Sequence, residues 1–242
     1  MSGCVLEVCC GTLGDVAAAV EGGADRVELC SALSCGGVTP SRAMIAKAVE
    51  ICKDRCRLHV LIRPREGDFV YTAPEVALMI EDIELACALG ADGVVVGALT
   101  ADGCVDTAVT RRLVDAAGSM SVTFSRAFDV AADDTARSVE AVIGAGCHRL
   151  LTSGCAPTAM EGYAVLRRIV AMSAGRLGVI AASGITAYNC ARVAALTGVG
   201  EIHGSFRTNV ASSVSSRPLP GLEALLPRTH ASIVSLAKSL LS

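Results

Sequence analysis

The chain has 242 residues, a formal net charge of −3, and a composition that is 52% hydrophobic and 19% charged. That length suits a single large domain, and a near-neutral charge gives no reason to expect nucleic acid as a partner. No apolar run of about 18 residues is present, which argues against a membrane span, and the start MSGCVLEVCC lacks the basic and apolar segments of a signal peptide.

In chain order, Val5–Cys9 alternates as a strand and Asp15–Glu21 is an Ala-rich helix. Gly22-Gly23 ends that helix, and Arg26–Cys30 follows as a strand with a long loop behind it. Ser41–Cys52 places Met44, Ile45, Ala48 and Val49 at helical spacing, with Ser41 as N-cap. Leu58–Arg63 is a third strand. Pro74–Leu89 is a helix opened by proline. Strands are then expected over Gly93–Gly97, Ser121–Ser125, Arg149–Thr152, Leu177–Ala181 and Glu201–Gly204. Helices are expected over Asp106–Ala117, Asp133–Ile143, Thr158–Ser173, Thr186–Leu196 and Thr229–Leu241. Thr208–Gly221 is a polar loop.

The junctions repeat. Glu21–Cys30, Ala88–Gly97, Ile143–Thr152 and Leu196–Gly204 each run from a helix end through glycine into a buried strand. Strict alternation of eight strands and eight helices predicts an α/β fold, a TIM-type (β/α)8 barrel forming one domain over residues 1–242. An open doubly wound sheet is the alternative, disfavoured because no Gly-rich dinucleotide fingerprint follows the first strand. With no Trp and 3% aromatic residues, the core must be aliphatic.

Twelve cysteines are scattered from Cys4 to Cys190. Without a secretory signal they read as reduced thiols, most of them small buried hydrophobes such as Cys87 and Cys190. Cys52 and Cys56 have no neighbouring histidine or second cysteine pair, so no zinc site is expected there.

Barrel sites lie at the C-terminal ends of strands, so polar residues of one parity are the candidates. The first strand offers Glu7 and Cys9, the second Glu28 and Cys30, the third His59 and Arg63. The fifth offers Thr123 and Ser125, followed by Arg126 and Asp129. The eighth offers His203 and Ser205. A barrel interior is normally branched aliphatic, so this set points to a site, with Glu7, Glu28, His59 and Arg63 expected in one mouth. The plainer alternative is a satisfied polar core in which Glu7 or Glu28 pairs with Arg63 and His59 with a backbone carbonyl. Ser183-Gly184 after the seventh strand, with Gly204-Ser205 after the eighth, stands where barrels bind phosphate on backbone amides.

Several stretches carry a family resemblance. GGADRVELCSALSCGGVTPS (22–41), HVLIRPREGDFVYT (59–72), GADGVVVGALTADGCVD (90–106), VTFSRAFD (122–129), LLTSG (150–154) and EIHGS (201–205) resemble the CutC copper homeostasis proteins. The resemblance runs from Glu7 to about Ser205. It implies a barrel, a cytoplasmic location, homo-oligomers and a copper role through Cu(I). Glu7, Cys9, Glu28, Cys30, His59, Arg63, Asp68, Arg126, Asp129 and His203 keep the family pattern. Ser125 stands where the family has histidine, Cys35 where it has an acidic residue, and Cys155 where it has glycine. Ala182-Ser183 replaces part of a glycine run.

Two functions follow as expectations. In the first, Cys9 and Cys30 close adjacent strands and share Cu(I), since thiolates select that ion. In the second, a barrel enzyme acts on a small anionic substrate. Glu7, Glu28, His59 and Arg63 would carry its chemistry, and Asp68, Arg126, Asp129, Ser183, Gly184, His203 and Ser205 would hold the substrate.

Overall fold

The computed structural model describes residues 3–211 and 225–242. Strands and helices alternate as β1 (Val5–Cys10), α1 (Leu13–Glu21), β2 (Arg26–Leu29), α2 (Arg42–Cys52), β3 (Arg57–Leu61), α3 (Ala73–Leu89), β4 (Gly93–Val96) and α4 (Thr107–Ala117). They continue through β5 (Ser121–Phe124), α5 (Thr135–Gly144), β6 (Arg149–Thr152), α6 (Tyr163–Ser173), β7 (Gly178–Ala181), α7 (Cys190–Thr197) and β8 (Glu201–Gly204). Each strand pairs in parallel with the next, and β8 returns to β1, so the sheet closes into an eight-stranded barrel. The expected (β/α)8 architecture is therefore present. Closure removes the open edges that a doubly wound sheet would leave.

Alternation along each strand sorts the side chains. Leu6, Val8 and Cys10 on β1, and Val27 and Leu29 on β2, join the large apolar core with Ile45, Ala48 and Cys52 of α2. The opposite parity turns into the barrel, where apolar residues form two small groups among the described residues. One contains Cys9, Cys30, Leu61 and Val95, the other Leu151, Ile180 and Ala182. The main hydrophobic core is thus the shell between sheet and helices.

Local capping fixes where the helices start. Ser41 accepts from Met44 N, and Thr72 and Glu75 form a reciprocal capping box that spans Pro74. Such caps contribute about 1 kcal/mol each. Several helices start later than the pattern suggested, α6 at Tyr163 and α7 at Cys190 by the most, and α5 at Thr135 and α8 (Ala231–Leu241) at Ala231 by two residues. The segments ahead of α6 and α7 are turns tied by local bonds, such as Asn189 Oδ1 accepting from Thr186 N at 2.8 Å.

The expected polar loop over Thr208–Gly221 needs correction. Its first residues belong to β9 (Arg207–Ala211), which pairs antiparallel with β10 (Leu225–Thr229). The remainder, 212–221, lies outside the described residues. The hairpin is anchored where Thr229 N donates to Asp15 Oδ1 at 2.9 Å, a buried contact with α1. No helix among the described residues is long and apolar enough to cross a membrane.

All twelve cysteines are free. Six are buried, among them Cys190, but Cys87 is exposed. Helical periodicity gives the spacing of a helix's faces; at Cys87 it misassigned which face meets the sheet.

Candidate functional site

The inward residues divide into a deep layer and a mouth. In the deep layer, Glu7 is registered against Arg26 on β2 and His203 on β8. Arg26 is buried and donates from Nε to Glu7 and from Nη2 to Glu201. Arg149 donates to Glu201 at 3.0 Å and to Ser121. A chain of alternating charge thus crosses the barrel floor. Arg26, Arg149 and Glu201 have the same parity as Glu7 and Glu28, a signal the sequence reading passed over.

This arrangement corrects two expectations. Glu7 pairs with Arg26 and His203, not with Arg63. His59 is 2% exposed, and its Nδ1 has no partner instead of the expected backbone carbonyl. Burial pulls its pKa down to about 4, which keeps the ring neutral. Gly93 beside it is required for space, because a Cβ there would sit 2.5 Å from His59 Nε2. Neither Glu7 nor His59 reaches the mouth.

His203 bridges the two layers. Its Nδ1 lies 2.6 Å from Glu7 Oε1, and its Nε2 lies 3.7 Å from Glu28 Oε2. Burial pulls the imidazole pKa down, but Cys9, Glu7 and Glu28 outweigh it and hold the ring protonated above its usual range. Burial likewise pushes Glu7 up, but Arg26 and His203 prevail and keep it ionised.

At the mouth, Cys9 and Cys30 bring their sulfurs to 4.0 Å. One ligand atom from each of Cys9, Glu28 and Cys30 lies within 4.8 Å of the others, and all three residues are buried. Hydrogen bonding from Cys30, aided by His203, holds the Cys9 thiol well below its usual pKa despite burial. Cys30 moves the opposite way, pushed up by its bond to Cys9, by burial, and by the charges on Cys9 and Glu28. His203 hydrogen-bonds Cys9, so the imidazolium favours the thiolate form on that sulfur of the pair. Burial and the Cys9 charge push Glu28 up to about 8.

These groups open into a cavity of about 440 Å³. Among the sequence candidates, Cys9, Glu28, Cys30, Arg63, Arg126, Asp129, Ser183, Gly184, His203 and Ser205 line it, as do Cys35 and Ser125. Asp68 stands apart, exposed and bonded to Arg65 at 3.0 Å. Asp129 reaches the wall with a filled carboxylate, accepting from Arg126 Nε, the Thr152 and Ser153 hydroxyls and the Ser153 and Cys155 amides. It fastens the loop after β6. Ser183 and Gly184 both have left-handed backbones, with φ of 76° and 67°. The Ser183 hydroxyl donates to Pro157 O at 2.7 Å.

A model of the CutC family matches residues 4–208. The chain belongs to the CutC family. A CutC-family protein of Chromobacterium violaceum is 49% identical over 213 residues, covering 88% of this chain and 85% of the relative. Another from Bacteroides fragilis is 44% identical over 214 residues, covering 88% and 84%. A solved CutC structure from Streptococcus agalactiae is 32% identical, with a TM-score of 0.80, and covers 84% of this chain and 98% of that one. A thiamine phosphate pyrophosphorylase from Pyrococcus furiosus, 18% identical with a TM-score of 0.62, shares the fold alone. The CutC match covers β1 to β8, so the deep charge chain and the thiol pair both fall within it.

Proposed function

We propose that this CutC-family chain binds Cu(I) as cargo between Cys9 and Cys30, with Glu28 as third donor. The observation that carries the reading is the 4.0 Å between the two sulfurs. With metal–sulfur bonds of about 2.3 Å, that separation corresponds to an S–metal–S angle of about 120°, which leaves a trigonal place for one more ligand. The Glu28 carboxylate is the group at hand. Thiolates select a soft monovalent ion over harder competitors. Cys9 already favours the ionised form, and binding would release the Cys30 proton. Arg63 on the same wall opposes a cation. The Streptococcus agalactiae relative is named for copper homeostasis, which agrees with this reading.

The test is a competition titration against a Cu(I) chelator under reducing conditions. Wild type should take one equivalent, and Cys9→Ser and Cys30→Ser should each lose it. Binding that survives both substitutions would move the site elsewhere, with Cys35 next in line on the cavity wall. A cytoplasmic location and assembly into homo-oligomers are proposed on the family resemblance alone; fractionation and light scattering check them.

A second reading has its own support. Glu28, held up to about 8, and His203, which Glu7 holds protonated from the deep layer, are two proton donors at one mouth, as Glu/His acid–base chemistry on a small anion needs. Metabolite depletion by wild type but not by Glu28→Gln would favour it.

A further inference from the structure

Arg63 is the unabsorbed feature of the mouth. Its side chain projects beyond β3 and is only 7% exposed. A buried guanidinium is normally paired, because an uncompensated buried charge is costly. Among the described residues, no carboxylate lies within salt-bridge reach of Arg63, although Arg26, Arg65, Arg126 and Arg149 all have one.

The surroundings of Arg63 show which part of it is free. One face lies over the Phe69 ring, 4.9 Å from its centre. Nη1 donates to Cys35 O at 3.2 Å and Gly37 O at 2.9 Å, and Nη2 donates to Gly67 O at 2.7 Å. Three of the five guanidinium N–H groups are thereby filled. Nε is buried with no partner, and no second acceptor meets Nη2. Nε and Nη2 share one edge, of the kind that pairs with an oxyanion through two parallel bonds, and Nε lies beneath the surface. The Tyr71 hydroxyl stands beside the guanidinium and, being neutral, supplies no counter-charge.

The loop holds this arrangement in place. Thr39 exchanges bonds with the Arg63 backbone, accepting from Arg63 N at 2.9 Å and donating its own N–H to Arg63 O at 3.0 Å. The remaining charges on the cavity wall are committed elsewhere. Arg126 is tied to Asp129, and Glu28 faces the thiols and His203. The wall near Arg63 is otherwise apolar, with Leu33, Leu61 and Phe69.

We propose that the cavity binds a small organic oxyanion, a carboxylate or a phosphate monoester, with Arg63 as its counter-ion. The inference rests on the small anion of the second reading, whose class and counter-ion it names, and is independent of the copper reading and of turnover, because its test contains no metal and reads binding alone. Wild-type protein is titrated with pyruvate as the carboxylate probe and with glycerol 3-phosphate as the phosphate probe. Thermal melting and the ¹⁵N–¹H signals of the arginine Nε–H groups are followed. A saturable rise in Tm with one probe, and movement of a single Nε–H signal that is missing from Arg63→Lys, is the expected result. The probe that saturates tells carboxylate from phosphate. Arg63→Lys keeps the charge but loses the two-pronged edge, and should bind roughly tenfold more weakly or worse. If that variant does not fold, the Nε–H signal of wild type, assigned through its own side chain, still decides the matter. The proposal is overturned if neither probe gives a saturable response at about 10 mM, above the usual range for metabolite affinities. It is equally overturned if a folded Arg63→Lys responds as wild type does, which would leave Arg63 as a loop tie only.

Discussion

Glu7 Oε1 and His203 Nδ1 meet at 2.6 Å across the seam where β8 closes onto β1. The two residues are 196 positions apart in the chain, so only the closed barrel brings them together. The other imidazole nitrogen lies toward Glu28. One buried ring therefore mediates between a deep carboxylate and one at the mouth, and the ionisation of all three is linked.

Glu28 should make stability depend on pH. Its folded pKa of about 8 is above the ordinary 4.5, so the folded protein keeps a proton that the unfolded chain has lost. The stability this provides is complete below pH 4.5 and is lost as pH rises through 8. His203 acts in the same sense and Cys9 in the opposite one, so the comparison with Glu28→Gln isolates the carboxyl. Between about pH 5 and about pH 9, urea unfolding should show wild type losing about 4 kcal/mol more than the variant. Parallel curves would mean that Glu28 titrates as an ordinary carboxyl.

Cys9 should be reactive at mildly acidic pH. Its thiol is held low by Cys30 and His203, whereas burial holds the Cys155 thiol high. Iodoacetamide at about pH 6 should label Cys9 ahead of Cys155, although Cys155 is the more exposed, because the thiolate is the nucleophile. His203→Asn should slow Cys9 labelling by about tenfold. Peptide mass spectrometry reads both results, and labelling in order of exposure would contradict the assignment.

Arg26 should matter far more to stability than Arg57. Removing Arg26 as Arg26→Met leaves Glu7 and Glu201 facing one another without their shared cation. The expected loss is about 3–5 kcal/mol. Arg57 pairs with Asp92 at 3.1 Å at the surface, and Arg57→Met should cost about 0–1 kcal/mol. Chemical denaturation of both variants provides the comparison.

Gly37→Ala should disturb the mouth from the outside. Gly37 has a φ of 90°, and a Cβ there would lie 2.7 Å from Leu61 Cδ2. The strain should cost about 1–3 kcal/mol. It should also shift the Gly37 carbonyl that accepts from Arg63. The Arg63 Nη signals should therefore move while the deep-layer His203 signals stay fixed.

Much of the barrel was legible because two periodicities alternate eight times. The inward parity of Glu7, Glu28, Cys9, Cys30, His59 and Arg63 followed from the period of two. Depth did not. Closure fixes how far each strand slides along its neighbour, and that offset put Glu7 beside Arg26 and out of reach of Arg63. Asp68 and Asp129 followed the family pattern, but which donors fill a carboxylate depends on loop shapes that no local spacing encodes. Residues 208–211 read as loop because the stretch is polar and short and its partner strand begins only at Leu225.

Among the described residues, the hydrophobic shell lies almost wholly outside the sheet, and the lumen contributes two small apolar groups to packing. Foldability and chemistry are consequently written in different residues of the same strands, on alternate letters. A saturation library confined to the lumenal positions near the mouth would explore new ligands while leaving the packing between strands and helices untouched. The same library on the opposite parity would chiefly sample unfolding. Along β1, Val8 and Cys9 are adjacent in the chain and belong to these two separate regimes.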